Sequence, residues 1–250
     1  MFAEILTQQF WIGLSVIIGI NIILSGDNAV VIALAARSLP PLQQKQAILW
    51  GSGAAVVMRI ILTFVAAAML ALPYLKLIGA ALLLWIGVKL LLPEHDGEGG
   101  EGHGGGNMGA AIRTILIADL VMSLDNVLAV AAAAKGSFLL LILGLGISIP
   151  LVIFGSTLLL KLMDRYPVII TIGGGLLGWV AGEMAITDPI TKVWVDTNAH
   201  WLHWAVPPAA AIGVVLIGKW LASRILAKQD VQPVVDLAEP ADQPPARRAK

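Results

Sequence analysis

The chain runs to 250 residues, of which 58% are hydrophobic and only 13% charged, with a mean hydropathy of +0.87. A soluble domain carries about a quarter of its residues as charges, so this balance excludes an ordinary water-soluble fold and points to a polytopic membrane protein. Net charge is zero and cysteine is absent, which leaves no electrostatic footprint for nucleic acid and no disulfides, thiolate ligands or cysteine nucleophiles.

The amino terminus carries Glu4 and no early Lys or Arg, so it lacks the basic region of a cleaved signal peptide, and the first apolar run is expected as a retained span. Seven runs are long enough, at about 17–25 residues, to cross a bilayer as helices. They lie near 10–36, 47–70, 73–92, 111–134, 138–160, 167–187 and 206–226. Pro40-Pro41 closes the first loop, and Pro73 and Pro167 are expected to open the third and sixth helices, where a missing N–H costs nothing. With the amino terminus outside, the inner loops and helix ends hold Arg37, Lys45, Lys89, Arg113, Lys161, Arg165, Lys219, Arg224 and Lys228. The outer ones hold only Lys76, Lys135 and Lys192. The positive-inside asymmetry therefore places the amino terminus outside and the carboxyl terminus inside.

An internal repeat organises these runs. Asn21, Ser25, Asp27 and Asn28 align at one offset with Asp119, Ser123, Asp125 and Asn126. Gly51-x-Gly53 matches Gly144-x-Gly146, and Pro73, Gly79 and Trp85 match Pro167, Gly173 and Trp179. Three helices per unit is an odd number, so the second unit enters the membrane inverted, as in many secondary transporters. The expected fold is all-α, with two three-helix units (8–92 and 110–188) and a seventh helix outside the repeat. Between the units lies a Gly-, His- and acid-rich linker, 93–109. An interfacial segment and the seventh helix occupy 189–228, and a polar tail expected to be disordered occupies 229–250.

The linker's Glu94, His95, Asp96, Glu98, Glu101 and His103 suit either a cation-gathering segment or a solvated tether. Trp194, Trp201 and Trp204 read most simply as an interfacial belt, and His200 and His203 lack a third zinc ligand that the sequence alone would place.

Carboxylates inside an apolar span are expensive and mark function by default. Asn21, Ser25 and Asn28 share one helical face, as do Asp119, Ser123 and Asn126. On an intact helix Asp27 and Asp125 lie roughly 120° away. Either each faces a different neighbour, or the helix unwinds so that the polar groups converge; Gly26 favours unwinding in the first copy, and Leu124 holds the matching place in the second. The candidate metal ligands are Asp27, Asn28, Asp119, Asp125, Asn126 and Glu183, with Asn21, Ser25 and Ser123 as auxiliary polar groups. Such an oxygen donor set suits magnesium, calcium or manganese. Arg59 is either the counter-charge of an empty site or half of a structural ion pair. Glu183 aligns with Lys89, and either of them can reach the interface.

Ser25-Gly26-Asp27-Asn28-Ala29-Val30 and Asp119-Leu-Val-Met-Ser123-Leu-Asp125-Asn126, with Arg59 and Glu183, resemble the TerC family of integral membrane proteins, related to the LysE-type exporters. The resemblance covers about residues 8–228, and the glycine- and histidine-containing linker looks like that of the YjbE-type branch. It implies manganese efflux across the cytoplasmic (inner) membrane, with exported metalloenzymes as clients of some members. The family's tellurium phenotype has no direct chemistry in these residues.

The function expected is therefore a non-enzymatic, proton-coupled exporter of divalent manganese working by alternating access. The metal is its cargo, lipid surrounds it, and no tightly bound cofactor is expected. No nucleotide-binding P-loop is present. An intramembrane aspartyl protease is disfavoured because each motif aspartate is followed by asparagine and the motifs repeat with whole helices. A non-transporting metal-binding scaffold or sensor remains the alternative.

Overall fold

The computed structural model describes residues 7–24, 26–69, 72–93, 107–134 and 137–229; within its helices the side chains of 21–24, 64–69, 125, 128, 129, 131, 132, 228 and 229 lie outside the description. Among these residues the fold is all helical. In chain order the helices are α1 (Gln8–Leu24), α2 (Gly26–Ala36), α3 (Pro41–Met69), α4 (Leu75–Leu91) and α5 (Met108–Ala134). They are followed by α6 (Phe138–Arg165), α7 (Val168–Ile186), α8 (Pro189–Asn198) and α9 (Leu202–Gln229). Four described stretches are long and apolar enough to cross a membrane, over Pro41–Thr63, Phe138–Arg165, Val168–Ile186 and Leu202–Ala227.

The first apolar run, expected as one span over 10–36, is described as helix on both sides of residue 25, which itself lies outside the described residues. One ends at Leu24 and the next begins at Gly26. The matching region of the second unit, with Leu124 in place of glycine, stays inside the single helix α5. Helix α3 starts at Pro41, six residues before the apolar run expected at 47, and the Pro40 carbonyl accepts from the Gln44 N–H at 2.9 Å. Pro73 does not open α4. That helix starts two residues later, behind Tyr74, whose φ of 68° and ψ of −8° lie in the left-handed region. The long helices α6 and α9 both outrun the apolar windows that announce them: α6 continues through the charged stretch 161–165, and α9 starts four residues earlier, at Leu202, and runs on to Gln229.

Helix α8 is not one of the seven expected runs, being short and polar. Asp188 caps it, accepting from the Ile190 N–H at 3.0 Å, and Pro189 takes the first helical position. The same carboxylate also accepts from Tyr74 N (3.2 Å), Lys76 N (3.1 Å) and Leu77 N (3.4 Å). One fully buried side chain thus satisfies the orphan N–H groups of two helices, α4 and α8.

Packing follows an exchange pattern. Helix α3 packs chiefly on α5 of the other unit, α6 packs chiefly on α1 and α2, and α4 and α7 pack against each other. Helix α9 lies over α7 and α4. Close contacts at glycine repeat the pattern. A side chain at Gly51 of α3 would meet Ile115 of α5 at 2.9 Å, and one at Gly144 of α6 would meet Ile17 of α1 closer still. Ile17 and Ile115 are separated by the same offset as Asp27 and Asp125, and both are buried.

The main core gathers Val31–Ala36 of α2 with Ile115, Ala118 and Val121 of α5 and Leu177 and Ala181 of α7. Outside it, large apolar side chains such as Trp11, Ile61, Trp85, Phe154, Ile172 and Leu216 are more than half exposed. A surface of this kind suits hydrocarbon rather than water.

Candidate functional site

Four helices meet at a small cavity of about 20 Å³. That volume holds roughly one water or one dehydrated ion. From α3 come Ser52, Ala55, Val56 and Arg59, spaced so that they share one helical face. From α6 come Leu145, Ser148, Ile149 and Val152, with the same spacing. The offset that aligns Gly51 with Gly144 carries each α3 lining residue onto an α6 lining residue. Asn28 and Ile32 of α2 and Asp119 of α5 complete the wall.

The polar chemistry concentrates on one buried network. Arg59 Nη2 donates to Asp119 Oδ1 at 2.5 Å, and Arg59 Nε donates to Ser123 Oγ at 3.0 Å. Ser123 Oγ in turn donates to Asp119 Oδ2 at 3.2 Å. The guanidinium thus holds one carboxylate oxygen directly and the other through a hydroxyl. Arg59, Asp119 and Ser123 are 6%, 5% and 0% exposed, so the pair is removed from solvent and little screened. Removing either side chain alone would strand the other's charge in a low-dielectric interior.

Beside this network, Asp27 is half-buried in the first turn of α2, where its Oδ1 accepts from the Asn28 N–H at 2.7 Å. Its carboxylate lies within the electrostatic field of both Arg59 and Asp119. Asn28 is buried and lines the cavity. Ser148 donates to the Gly144 carbonyl at 2.8 Å, which leaves its lone pairs available to the cavity. The buried Ser52 Oγ has no hydrogen-bond partner among the described residues.

The structure thus brings Asn28, Arg59, Asp119 and Ser123 together, with Asp27 nearby. Asn126 is half-buried on α5 and is not part of the cavity wall, and Glu183 is exposed on α7, away from it. Ser25 and the side chains of Asn21 and Asp125 lie outside the described residues, as do linker residues 94–106 and tail residues 230–250. Ser52 and Ser148 were not among the expected site residues. Ser52 sits inside the Gly51-x-Gly53 motif, where alignment drew attention to the glycines and not to the hydroxyl between them.

Chemically, the cavity offers carboxylate, amide and hydroxyl oxygens and one fixed cation, with no thiolate. Such a wall can hold a hard or borderline cation once Arg59 withdraws.

An all-helical bundle with an apolar exterior and a buried charge pair at its centre defines a multi-pass integral membrane protein. The chain matches the integral membrane protein TerC family over residues 6–226, and it belongs to that family. It is 45% identical to the uncharacterized membrane protein YjbE of Bacillus subtilis (strain 168), over 72% of this chain and 82% of that one. It is 25% identical to the uncharacterized membrane protein YkoY of the same organism, over 89% and 75% respectively. Against the inner membrane protein YoaE of Escherichia coli (strain K12), identity is 25% over 67% of this chain and 36% of the other. No solved structure matches.

Proposed function

We propose that this chain is a secondary transporter that carries divalent manganese out of the cytoplasm by alternating access, in exchange for protons. The observation that carries the reading is the cavity itself. It is small, its mainly apolar wall carries the oxygens of Asn28, Ser52, Asp119 and Ser148, and Arg59 occupies its carboxylate as a tethered cation. In this reading Asp27 and Asp125 chiefly hold the metal, and its charge loosens the Arg59–Asp119 pair, so loading and Arg59 release become one event.

The reading takes the fold as seven spans in two inverted three-helix units, with α1 and α2 together making the first span and α9 standing outside the repeat. Its support is the exchange pattern of helix contacts, the paired Gly51–Ile115 and Gly144–Ile17 contacts, and the equivalent lining residues of α3 and α6. Orientation rests on the Lys and Arg asymmetry, which puts the amino terminus outside the cytoplasmic membrane. Manganese is favoured over magnesium and calcium on family resemblance, since all three suit the donor set. Protons are the natural counter-ion, because clustered carboxylates exchange a metal for protons as their charges interact.

A second reading is a membrane metal sensor or scaffold that binds but does not transport. It is favoured by the completeness of the Arg59–Asp119–Ser123 network, which is what a static core would also contain. Liposomes holding only this protein separate the two. Manganese should cross at a rate far above that of protein-free vesicles, and magnesium, calcium, zinc and iron run in parallel rank its preference. Binding without flux would favour the sensor.

A further inference from the structure

The elbow between α8 and α9 carries a second, separate cluster. Asp196 stands in the last turn of α8, His200 in the connecting turn and His203 at the start of α9. Their ligand atoms all lie within 4.8 Å of one another. We infer that Asp196, His200 and His203 form a peripheral binding site for a zinc-class transition-metal ion.

The backbone holds these three side chains in place. Ala199 N bonds the Val195 carbonyl at 3.0 Å, Leu202 N bonds that of Ala199 at 2.9 Å, and His203 N bonds that of His200 at 3.2 Å. Val195 and Ala199 are buried and anchor the turn, while Asp196 and His200 are exposed and His203 is half-buried. The ligands are therefore presented from a fixed turn to a place that ions can reach.

Division of labour within the Asp196 carboxylate favours this use. Oδ1 faces His203 Nε2 at 2.8 Å, and Oδ2 is held by Lys192 Nζ at 3.2 Å. One oxygen is thus aimed at the imidazoles while the other is oriented from behind, the outer-sphere support that metal-binding carboxylates use. The two imidazole rings lie 5.1 Å apart between centroids. Around a tetrahedral zinc at about 2.0–2.2 Å, ligand atoms stand roughly 3.4 Å apart. Asp196 and His203 need open only slightly, and His200 must swing inward, which an exposed side chain does freely.

Two imidazoles and one carboxylate select zinc, copper(II) or nickel over manganese and magnesium, which prefer oxygen. Three protein ligands leave a coordination position for water, so the ion would be held exchangeably rather than as a closed structural centre. The site differs from the central cavity in ligands, in metal preference and in location, and it stands whether or not the chain transports manganese.

The test uses the full-length protein in detergent, with His95→Ala and His103→Ala in the linker to remove the only other histidines. Zinc titrated calorimetrically into this background should bind, and cobalt(II) at the same site should show the visible absorption of a four-coordinate ion. Adding His200→Ala or His203→Ala should weaken zinc roughly a hundredfold or more and abolish the cobalt bands, while helical content is kept. Absence of zinc binding in the linker background, or an affinity unchanged by either further substitution, would overturn the site.

Discussion

Arg59 and Val152 face one cavity from equivalent turns of α3 and α6, so the guanidinium on one side has a valine as its counterpart on the other. Residues paired by one sequence offset thus differ in charge across the cavity. Asp119, the carboxylate that Arg59 holds, likewise aligns with the uncharged Asn21.

Removing the guanidinium strands a carboxylate. Arg59→Met should destabilise the protein by about 3–5 kcal/mol, because Asp119 then lies buried with no partner charge. Asp119→Asn introduced into the same variant should recover most of that loss. Thermal unfolding in detergent reads both, and an Arg59→Met protein as stable as the parent would show that the pair is not held in the buried geometry described.

Asp119→Asn alone probes coupling. Under the proposed exchange, Asp119 takes up a proton as the metal leaves, and Asp27 and Asp125 chiefly hold the metal. The substituted protein should still bind manganese, measured by titration, but its flux should stall or lose its dependence on pH. Loss of binding outright would make Asp119 a primary ligand, and unchanged pH-dependent flux would leave it only a partner for Arg59.

The contact between Gly144 and Ile17 should tolerate no added methyl group. Gly144→Ala is expected to cost about 1–3 kcal/mol through overpacking, and Ile17→Ala in the same chain should restore part of it. Gly51→Ala, which meets the mobile Cδ1 end of Ile115, should cost less. Equal and negligible effects at the two glycines, read as melting temperature, would contradict the packing of α3 and α6.

Asp188 joins α4 to α8, and its protonation should loosen both. Burial would raise its pKa, but the N–H groups of Ile190, Tyr74, Leu77 and Lys76 outweigh burial and hold it below the ordinary 3.8. A carboxyl with a depressed folded-state pKa contributes stability that is fully present above its unfolded value and is lost as pH falls through the folded one. Asp188→Ala should therefore cost about 1–2 kcal/mol at neutral pH, and the difference from the parent should shrink below about pH 4. A difference that persists unchanged at low pH would mean the carboxylate charge does not matter. The same variant should also release Tyr74 from its left-handed conformation, which a residue with a β-carbon adopts at a cost of roughly 1–2 kcal/mol.

Much of this was legible in the chain because membrane physics writes plainly. A carboxylate in an apolar run is costly enough that Asp119 stands out as a site residue and Arg59 as a counter-charge, although the sequence does not pair the two. Apolar length announced the long helices, although it undershot α6 and α9, whose ends continue in polar residues that hydropathy does not count. The sequence was silent where function depends on tertiary convergence. Nothing local shows that Asp188 closes α4, more than a hundred residues earlier, as well as capping α8. Asp196 is an ordinary polar residue of a short helix until the elbow folds it against His203. Glu183, a candidate ligand because it is charged and sits in an apolar run, is exposed on α7 and does not line the cavity.

The most direct measurement records manganese and proton movement together in liposomes containing only this protein, for the parent chain and for Asp27→Asn. The substitution keeps size and hydrogen bonding while removing the anion that offsets a cation's lost hydration. Manganese efflux from the compartment facing the cytoplasmic side should drive an opposed proton flow in the parent, and both should vanish in the folded Asp27→Asn protein. Parent vesicles that move no manganese, or an Asp27→Asn protein that moves it at the parent's rate, would contradict the account.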